Sequence, residues 1–523
     1  MSQPEKNFQA AICLLLVELC ERFTFFGIVC NMILFCTVKL GYRNYQAAIV
    51  NMCFVGTSML TPVLVGWLAE CLVGRIKLVC ICMFLHFLGT ALLPVVAFPF
   101  EDIYIDRRHI LHTLTKKEQK IVFYFALLTA SLGIGGIRAI VCPLSAYNLE
   151  DCGLKELLSF FNWFYWLVNL NSAVVFVSIS YIQQSVARNL GFLIPFVSVL
   201  MAMITIHMMR GEMIYKPKTD SSLLTTFGVI ASALKTCCVR YRYFSGGVTN
   251  WLDHAKENYG GRYSETQVES TKSLARLFPL FAFQILYRTC IMQIPSGYYL
   301  QTMNSNLNFS GFILPIAAMN VISIVPLLIL VPILECINSC LFSFKKSRHS
   351  PTIYVGQLSA ALSVMVAGIS EIHRKHFPRV EQTLSKEVLL VSSMPCFHLA
   401  PQYILLGVAE ALVTPSCNTC CGCLTQIYLH VFHVSHVSSC NWFPHLLHEG
   451  KLERFFFLLA SLMMVNTLGF WTIAHRYNNL NQEYAKEFRG SLPEEKILQN
   501  EKAIKFYDSV LDRSPILPPM EAT

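Results

Sequence analysis

The chain has 523 residues, of which 54% are hydrophobic and 14% charged, with 41 Lys and Arg against 32 Asp and Glu. Soluble domains carry about 25% charged residues, so this composition excludes an ordinary water-soluble chain. The formal charge of +9 does not indicate a nucleic-acid partner. The cations sit in short clusters between apolar runs, such as Lys345-Lys346-Ser347-Arg348, as the positive-inside rule produces.

The polar stub at 1–6 runs straight into an apolar segment longer than a signal-peptide core. Window length predicts about twelve membrane-crossing helices. They lie near 8–38, 47–70, 76–98, 120–142, 159–183, 189–209, 276–301, 312–341, 352–372, 396–415, 416–440 and 455–475. The polar break at 210–275 divides them six and six, giving an N-terminal half (1–209), a linker, a C-terminal half (276–475) and a tail (476–523). Its Lys and Arg place the linker and tail in the cytoplasm, with an amphipathic helix expected over 221–235. The sequon Asn308-Phe309-Ser310 then falls outside. Arg107, Arg108, Lys116 and Lys117, in an expected outer loop at 99–119, run against that orientation. The expected class is an all-α polytopic membrane protein of major-facilitator type, with its site between the halves. The 21 Cys lie mostly in apolar runs, where Cys acts as a small hydrophobe.

Charges inside the apolar segments mark the candidate site, because a lone charge in the bilayer costs several kcal/mol. Glu18, Glu21 and Arg22 share one helix face at i, i+3 and i+4. Arg22 can neutralise one Glu and leave the other near a protonation equilibrium, or the three form a structural ion-pair cluster. Glu410 stands alone in the tenth segment. Arg138 follows Gly133-Ile134-Gly135-Gly136, glycines that let helices approach closely; no strand–turn–helix context supports a phosphate loop there. Arg288, in the seventh segment, either snorkels to an interface or points at an acid on another helix. Gly66-Trp67-Leu68-Ala69-Glu70 with Gly74-Arg75 suits a clasp at the inner end of the second helix.

Together these strings resemble the proton-coupled oligopeptide transporters, solute carrier family 15. Glu18-Leu19-Cys20-Glu21-Arg22-Phe23 resembles the family's first-helix motif, and Gly133–Arg138 its fourth-helix segment. Phe160-Phe161-Asn162-Trp163-Phe164-Tyr165, followed by Asn169, resembles the fifth-helix signature. Residues 260–269 and Pro401-Gln402-Tyr403 with Glu410 are similar to the approaches to helices seven and ten. The resemblance implies proton-driven uptake of small peptide-like or amino-acid-like solutes by alternating access, with the proton as coupling ion and no other cofactor. It implies a monomer in the plasma or endolysosomal membrane. Proton coupling and gating then fall to Glu18, Glu21 and Arg22. Substrate binding falls to Arg138, Tyr165, Asn169, Gln293 and Glu410, with Glu410 taking the amine and Arg138 pairing with Glu410.

The departures concern the pocket. Phe25 and Phe26 stand where the family has tyrosines, Val29 where it has the arginine that meets the peptide carboxylate, and Met59 at a helix-two tyrosine. Met52 stands at a histidine position, Ser323 at an asparagine, and Asn171 at the signature glycine. We expect Arg288 to replace the missing cation. The eleventh segment is short and holds Cys417, Cys420, Cys421, Cys423, His430, His433 and His436; its spacing matches no zinc module. These departures leave a second reading open, a transport-inactive homologue acting as a sensor or interaction protein.

Overall fold

A computed structural model describes residues 3–30, 32–71, 75–97, 116–148, 154–186, 188–209, 222–240, 251–259, 261–341, 351–384, 387–417 and 450–488. Eleven of the expected segments are helical in it. The N-terminal half comprises α1 (Gln3–Val29) with the short α2 (Met32–Val38), α3 (Asn44–Cys71), α4 (Arg75–Ala97), α5 (Lys116–Asn148), α6 (Leu154–Tyr181) and α7 (Arg188–Met209). The linker contributes α8 (Ser222–Arg240). The C-terminal half comprises α9 (Glu265–Ile291) with α10 (Tyr299–Met303), α11 (Asn320–Leu341), α12 (Pro351–His376), α13 (Ala400–Cys417) and α14 (Leu452–Phe488). Nine described helices are long and apolar enough to cross a membrane. α1 stands outside that set, its apolar stretch interrupted by Glu18, Glu21 and Arg22. All but the first two residues of the expected eleventh segment, including its Cys and His residues from 420 onward, lie outside the described residues, as does most of the expected outer loop.

The all-α expectation needs two additions. Asn308–Phe309 (β1) pairs antiparallel with Phe312–Ile313 (β2), and Arg379–Leu384 (β3) with Glu387–Ser392 (β4). Ser310 and Gly311 both have positive φ, 52° and 89°, the geometry of a two-residue hairpin loop. The sequon Asn308 is therefore exposed on a turn, its Oδ1 accepting from the Gly311 N–H at 3.0 Å. Both hairpins lie at the end of the bundle opposite the linker, here termed the hairpin end.

Helix contact in the N-terminal half depends on small residues. A Cβ on Gly133 would collide with the backbone of His86, and one on Gly89 with the backbone of Ala130, so α4 and α5 touch main chain to main chain. In the C-terminal half Gly407 of α13 sits against the carbonyl of Ser323 on α11 in the same way. The two halves are fastened at the hairpin end. Asn51 donates to the Pro295 carbonyl at 2.9 Å, and Gln184 donates to the Leu314 carbonyl while accepting from the Ile316 N–H at 3.1 Å.

A buried polar network ties the C-terminal half together near that end. Glu371 and Arg374 are 0% and 2% exposed and pair at 2.6 Å, and Gln301 donates to Glu371 at 3.0 Å. Gln402 donates to Gln301 at 2.9 Å, while Arg374 and Ser392 both donate to the Asn304 carbonyl. The network links α10, α12, α13 and the β3–β4 hairpin, pairing most of their buried polar atoms and leaving Gln402 Oε1 without a partner among the described residues.

At the linker end, α8 packs Val229 and Ala233 against Leu252, Ala255 and Val268. Gly261 passes so close to the Ala255 carbonyl that no side chain fits. Ser264 and Gln267 form a capping box that starts α9. Lys256 and Lys272 alternate with Asp253 and Glu269: Lys272 to Asp253 at 2.5 Å, Lys256 to Asp253 at 3.0 Å, Lys256 to Glu269 at 2.7 Å and Lys272 to Glu269 at 2.9 Å. This lattice clamps residues 251–259 to the first turns of α9.

Candidate functional site

Glu18, Glu21 and Arg22 lie on the inward face of α1, 6%, 1% and 8% exposed, so the shared face read from their spacing is buried. The Arg22 guanidinium forks onto both oxygens of Glu21, the bidentate form that makes Arg–carboxylate pairs strong. Arg138 of α5 brings Nη2 to 3.8 Å from Glu21 Oε1. Glu21 therefore stands between two cations. The Phe25 ring completes the cluster, with Arg22 5.1 Å and Arg138 5.5 Å from its centroid.

This corrects one expectation. Arg138 faces Glu21 within its own half rather than Glu410 across the interface. Arg288 and Glu410 lie on α9 and α13, helices in contact in the C-terminal half. The Tyr287 hydroxyl donates to the Ala409 carbonyl at 3.1 Å, linking the two helices one residue before each charge.

α6 lies between the two charge sets. Tyr165 packs on Leu327, Val331 and Ala411, next to Glu410. Asn171 donates to the Leu19 carbonyl at 2.9 Å, next to Glu18. Six residues of helix rise about 9 Å, so α6 meets α1 at Asn171 and the α11–α13 cluster at Tyr165 less than two turns apart. Asn169 donates back to the Tyr165 carbonyl at 2.8 Å. Gln293 is fully buried and donates to the Thr289 carbonyl of its own helix at 3.1 Å.

The substituted positions are packed rather than vacant. Val29 is in the main apolar core, Phe25 stacks with Phe54, and Phe26 meets Phe176 edge-on. Met59 places its sulfur against Arg138 Nη1. Sequence reasoning missed His86 of α4, which is 0% exposed, with neither ring nitrogen hydrogen-bonded among the described residues. It also missed Glu371 and Arg374, whose i, i+3 spacing inside an apolar segment was the available signal.

A family model described as PTR2, POT family, matches residues 76–419. The chain is also 57% identical to Solute carrier family 15 member 5 of Homo sapiens, over 98% of this chain and 93% of that one. The chain belongs to the POT family. More distant members include Solute carrier family 15 member 3 of Mus musculus, 23% identical over 91% of this chain and 93% of the relative. Protein NRT1/ PTR FAMILY 5.4 of Arabidopsis thaliana is 24% identical over 90% and 95%. A solved auto inhibited POT family peptide transporter superposes with a TM-score of 0.66 at 15% identity, covering 90% of this chain and 97% of its own. A POT family transporter in complex with 5-aminolevulinic acid gives 0.64 at 14% identity, covering 90% and 96%. Those two likenesses establish the major-facilitator fold. As a POT member the chain is a multi-pass membrane transporter and not an enzyme.

Proposed function

We propose that this POT-family chain is a proton-driven symporter of small peptide-like or amino-acid-like solutes, working by alternating access. The observation that carries the reading is the buried Glu18, Glu21, Arg22 and Arg138 set of the N-terminal half, with Glu410 and Arg288 on contacting helices of the other half. Buried carboxylates facing an interface between halves have the chemistry of proton acceptors whose charge is balanced when the proton leaves. Solved POT transporters described as peptide transporters, and one in complex with 5-aminolevulinic acid, support the substrate class.

In this reading Glu18 or Glu21 carries the proton and Arg22 gates it. Arg138 is a fixed counter-charge, because a guanidinium does not release its proton. Glu410 receives the substrate amine, and Arg288 takes the part left open by Val29. Tyr165 and Asn169 line the passage along α6, while Gln293 supports the backbone where α9 meets the turn at Ile294–Tyr298. The protein acts as a monomer in the plasma or endolysosomal membrane, with its linker cytoplasmic.

The apolar packing of Phe25, Phe26 and Val29 favours the rival, a transport-inactive sensor. Proteoliposome uptake of a labelled dipeptide and amino-acid panel, with and without an inward proton gradient, separates the two. Gradient-dependent uptake lost in Glu18→Gln and Glu410→Gln is expected. No uptake by folded, reconstituted protein over the panel would establish the rival.

A further inference from the structure

The side chains of Trp166, Asn51 and Gln184 carry hydrogen bonds from the N-terminal half to the C-terminal half, and each meets backbone at a helix break. Trp166 of α6 donates its indole N–H to the Leu328 carbonyl of α11 at 3.3 Å. Four residues on stands Pro332, which has no N–H to close the helical bond to that carbonyl. Asn51 of α3 donates to the Pro295 carbonyl at 2.9 Å. The Tyr299 N–H, which a regular helix would direct there, goes to the Ser296 carbonyl instead. Gln184, in the turn between α6 and α7, donates to the Leu314 carbonyl at 3.2 Å and accepts from the Ile316 N–H at 3.1 Å. Ile316 opens a short helical turn, where the first amides have no partner within the helix.

These bonds divide by depth. Gln184 and Asn51 act at the hairpin end, whereas Trp166 lies roughly 25 Å back along α6. Both hairpin-end side chains are buried, and their donors and acceptors are neutral. Asn51 Oδ1 has no partner among the described residues. A buried acceptor without a partner weakens the closed arrangement, and water admitted between the halves would satisfy it. We propose that Gln184 and Asn51 form the outer gate of the transport cycle. They bond to Leu314, Ile316 and Pro295 when the halves close at the hairpin end and release them when the halves part. Both are positioning residues, and their release moves no charge. Trp166 holds α6 to α11 at the Pro332 bend and serves as the pivot. This inference rests on the alternating-access reading, which requires the halves to part at one end and then at the other.

Native thiols report on the gate. Cys30, Cys36 and Cys290 are buried in the main apolar core, which both halves share. Cys82 is buried in a second core whose described residues all belong to the N-terminal half. The purified full-length protein is treated with a membrane-impermeant maleimide, and mass spectrometry of its peptides gives the labelling rate at each cysteine. Gln184→Leu and Asn51→Leu should each raise the rates at Cys30, Cys36 and Cys290 about two- to tenfold, the range one lost hydrogen bond gives. Cys82 should keep its wild-type rate. Trp166→Phe, which removes a bond at the pivot, should leave all four rates unchanged. Unchanged rates at the three shared-core thiols in folded Gln184→Leu and Asn51→Leu proteins overturn the gate. A parallel rise at Cys82 also overturns it, since general loosening would move every buried thiol. An equal rise from Trp166→Phe overturns its placement at the hairpin end. Selective labelling in a chain that takes up nothing from the dipeptide and amino-acid panel upholds the gate and sinks the symporter reading. Gradient-driven uptake with unchanged labelling does the reverse.

Discussion

Arg138 Nη2 lies 3.8 Å from Glu21 Oε1, the same oxygen that Arg22 Nη2 contacts. One buried anion thus holds two cations from different helices, and its removal would leave two guanidinium groups facing each other. Breaking a buried ion pair from one side costs about 3–5 kcal/mol. Glu21→Gln should therefore lower thermal stability as well as abolish uptake, and Glu21→Gln/Arg138→Gln should recover part of the stability but none of the uptake. Additive losses in melting temperature across that double-mutant cycle would show that the two residues are not coupled.

The contact between α11 and α13 gives a test of packing. Gly407 rests on the Ser323 carbonyl, and an added methyl has nowhere to go without moving backbone. Overpacking of this kind costs about 1–3 kcal/mol. Gly407→Ala should reduce monodisperse protein in size-exclusion traces, and Gly66→Ala, whose Cβ meets nothing within 4 Å, should not. Equal behaviour of the two variants would count against close α11–α13 contact.

How much of this was legible follows from range. Charges that break an apolar run are visible one segment at a time, so Glu18, Glu21, Arg22, Arg138, Arg288 and Glu410 could all be picked out. Which cation faces which acid is a three-dimensional fact, and the expected Arg138–Glu410 pairing was wrong because α5 packs on α1 rather than α13. The Ser264–Gln267 capping box and the Ser310-Gly311 turn are local chemistry, readable in principle from two or three residues. His86 was not readable, since an imidazole in an apolar helix looks the same whether its nitrogens are satisfied or not.

The Glu371–Arg374 pair gives a prediction distinct from transport. Both residues are buried; Gln301 donates to Glu371, and Arg374 donates to the Asn304 carbonyl. Arg374→Met leaves Glu371 charged and unpaired, whereas Glu371→Gln/Arg374→Met removes both charges. The single variant should melt well below wild type, by the roughly 3–5 kcal/mol of a half-broken buried pair, with the double variant above it. A double variant less stable than the single would mean the network, rather than charge balance, governs folding there.

The linker clamp supplies the pH prediction. Burial pushes the Asp253 carboxyl upward, but hydrogen bonds and charge from Lys272 and Lys256 outweigh it and hold the group below its ordinary value of 3.8. Glu269 is likewise held down against burial by Lys256 and Lys272. Lys256 is pushed down by burial and raised further by Glu269 and Asp253, so it ends above its ordinary 10.5. A depressed carboxylate contributes stability above its unfolded value and loses it as pH falls through the folded value. A raised lysine contributes below its unfolded value and loses that contribution as pH climbs through the folded one. The clamp is therefore flat across about pH 5–8 and weakens at both extremes. Hydrogen exchange of residues 251–259, corrected for intrinsic rates, should be equally protected at about pH 5 and 7 and less protected near pH 3. Asp253→Asn should lower protection at all three. Protection that instead titrates between pH 5 and 7 would require a group outside this lattice, with His254 the neighbouring one, and would show that the four-charge clamp does not hold the linker to α9.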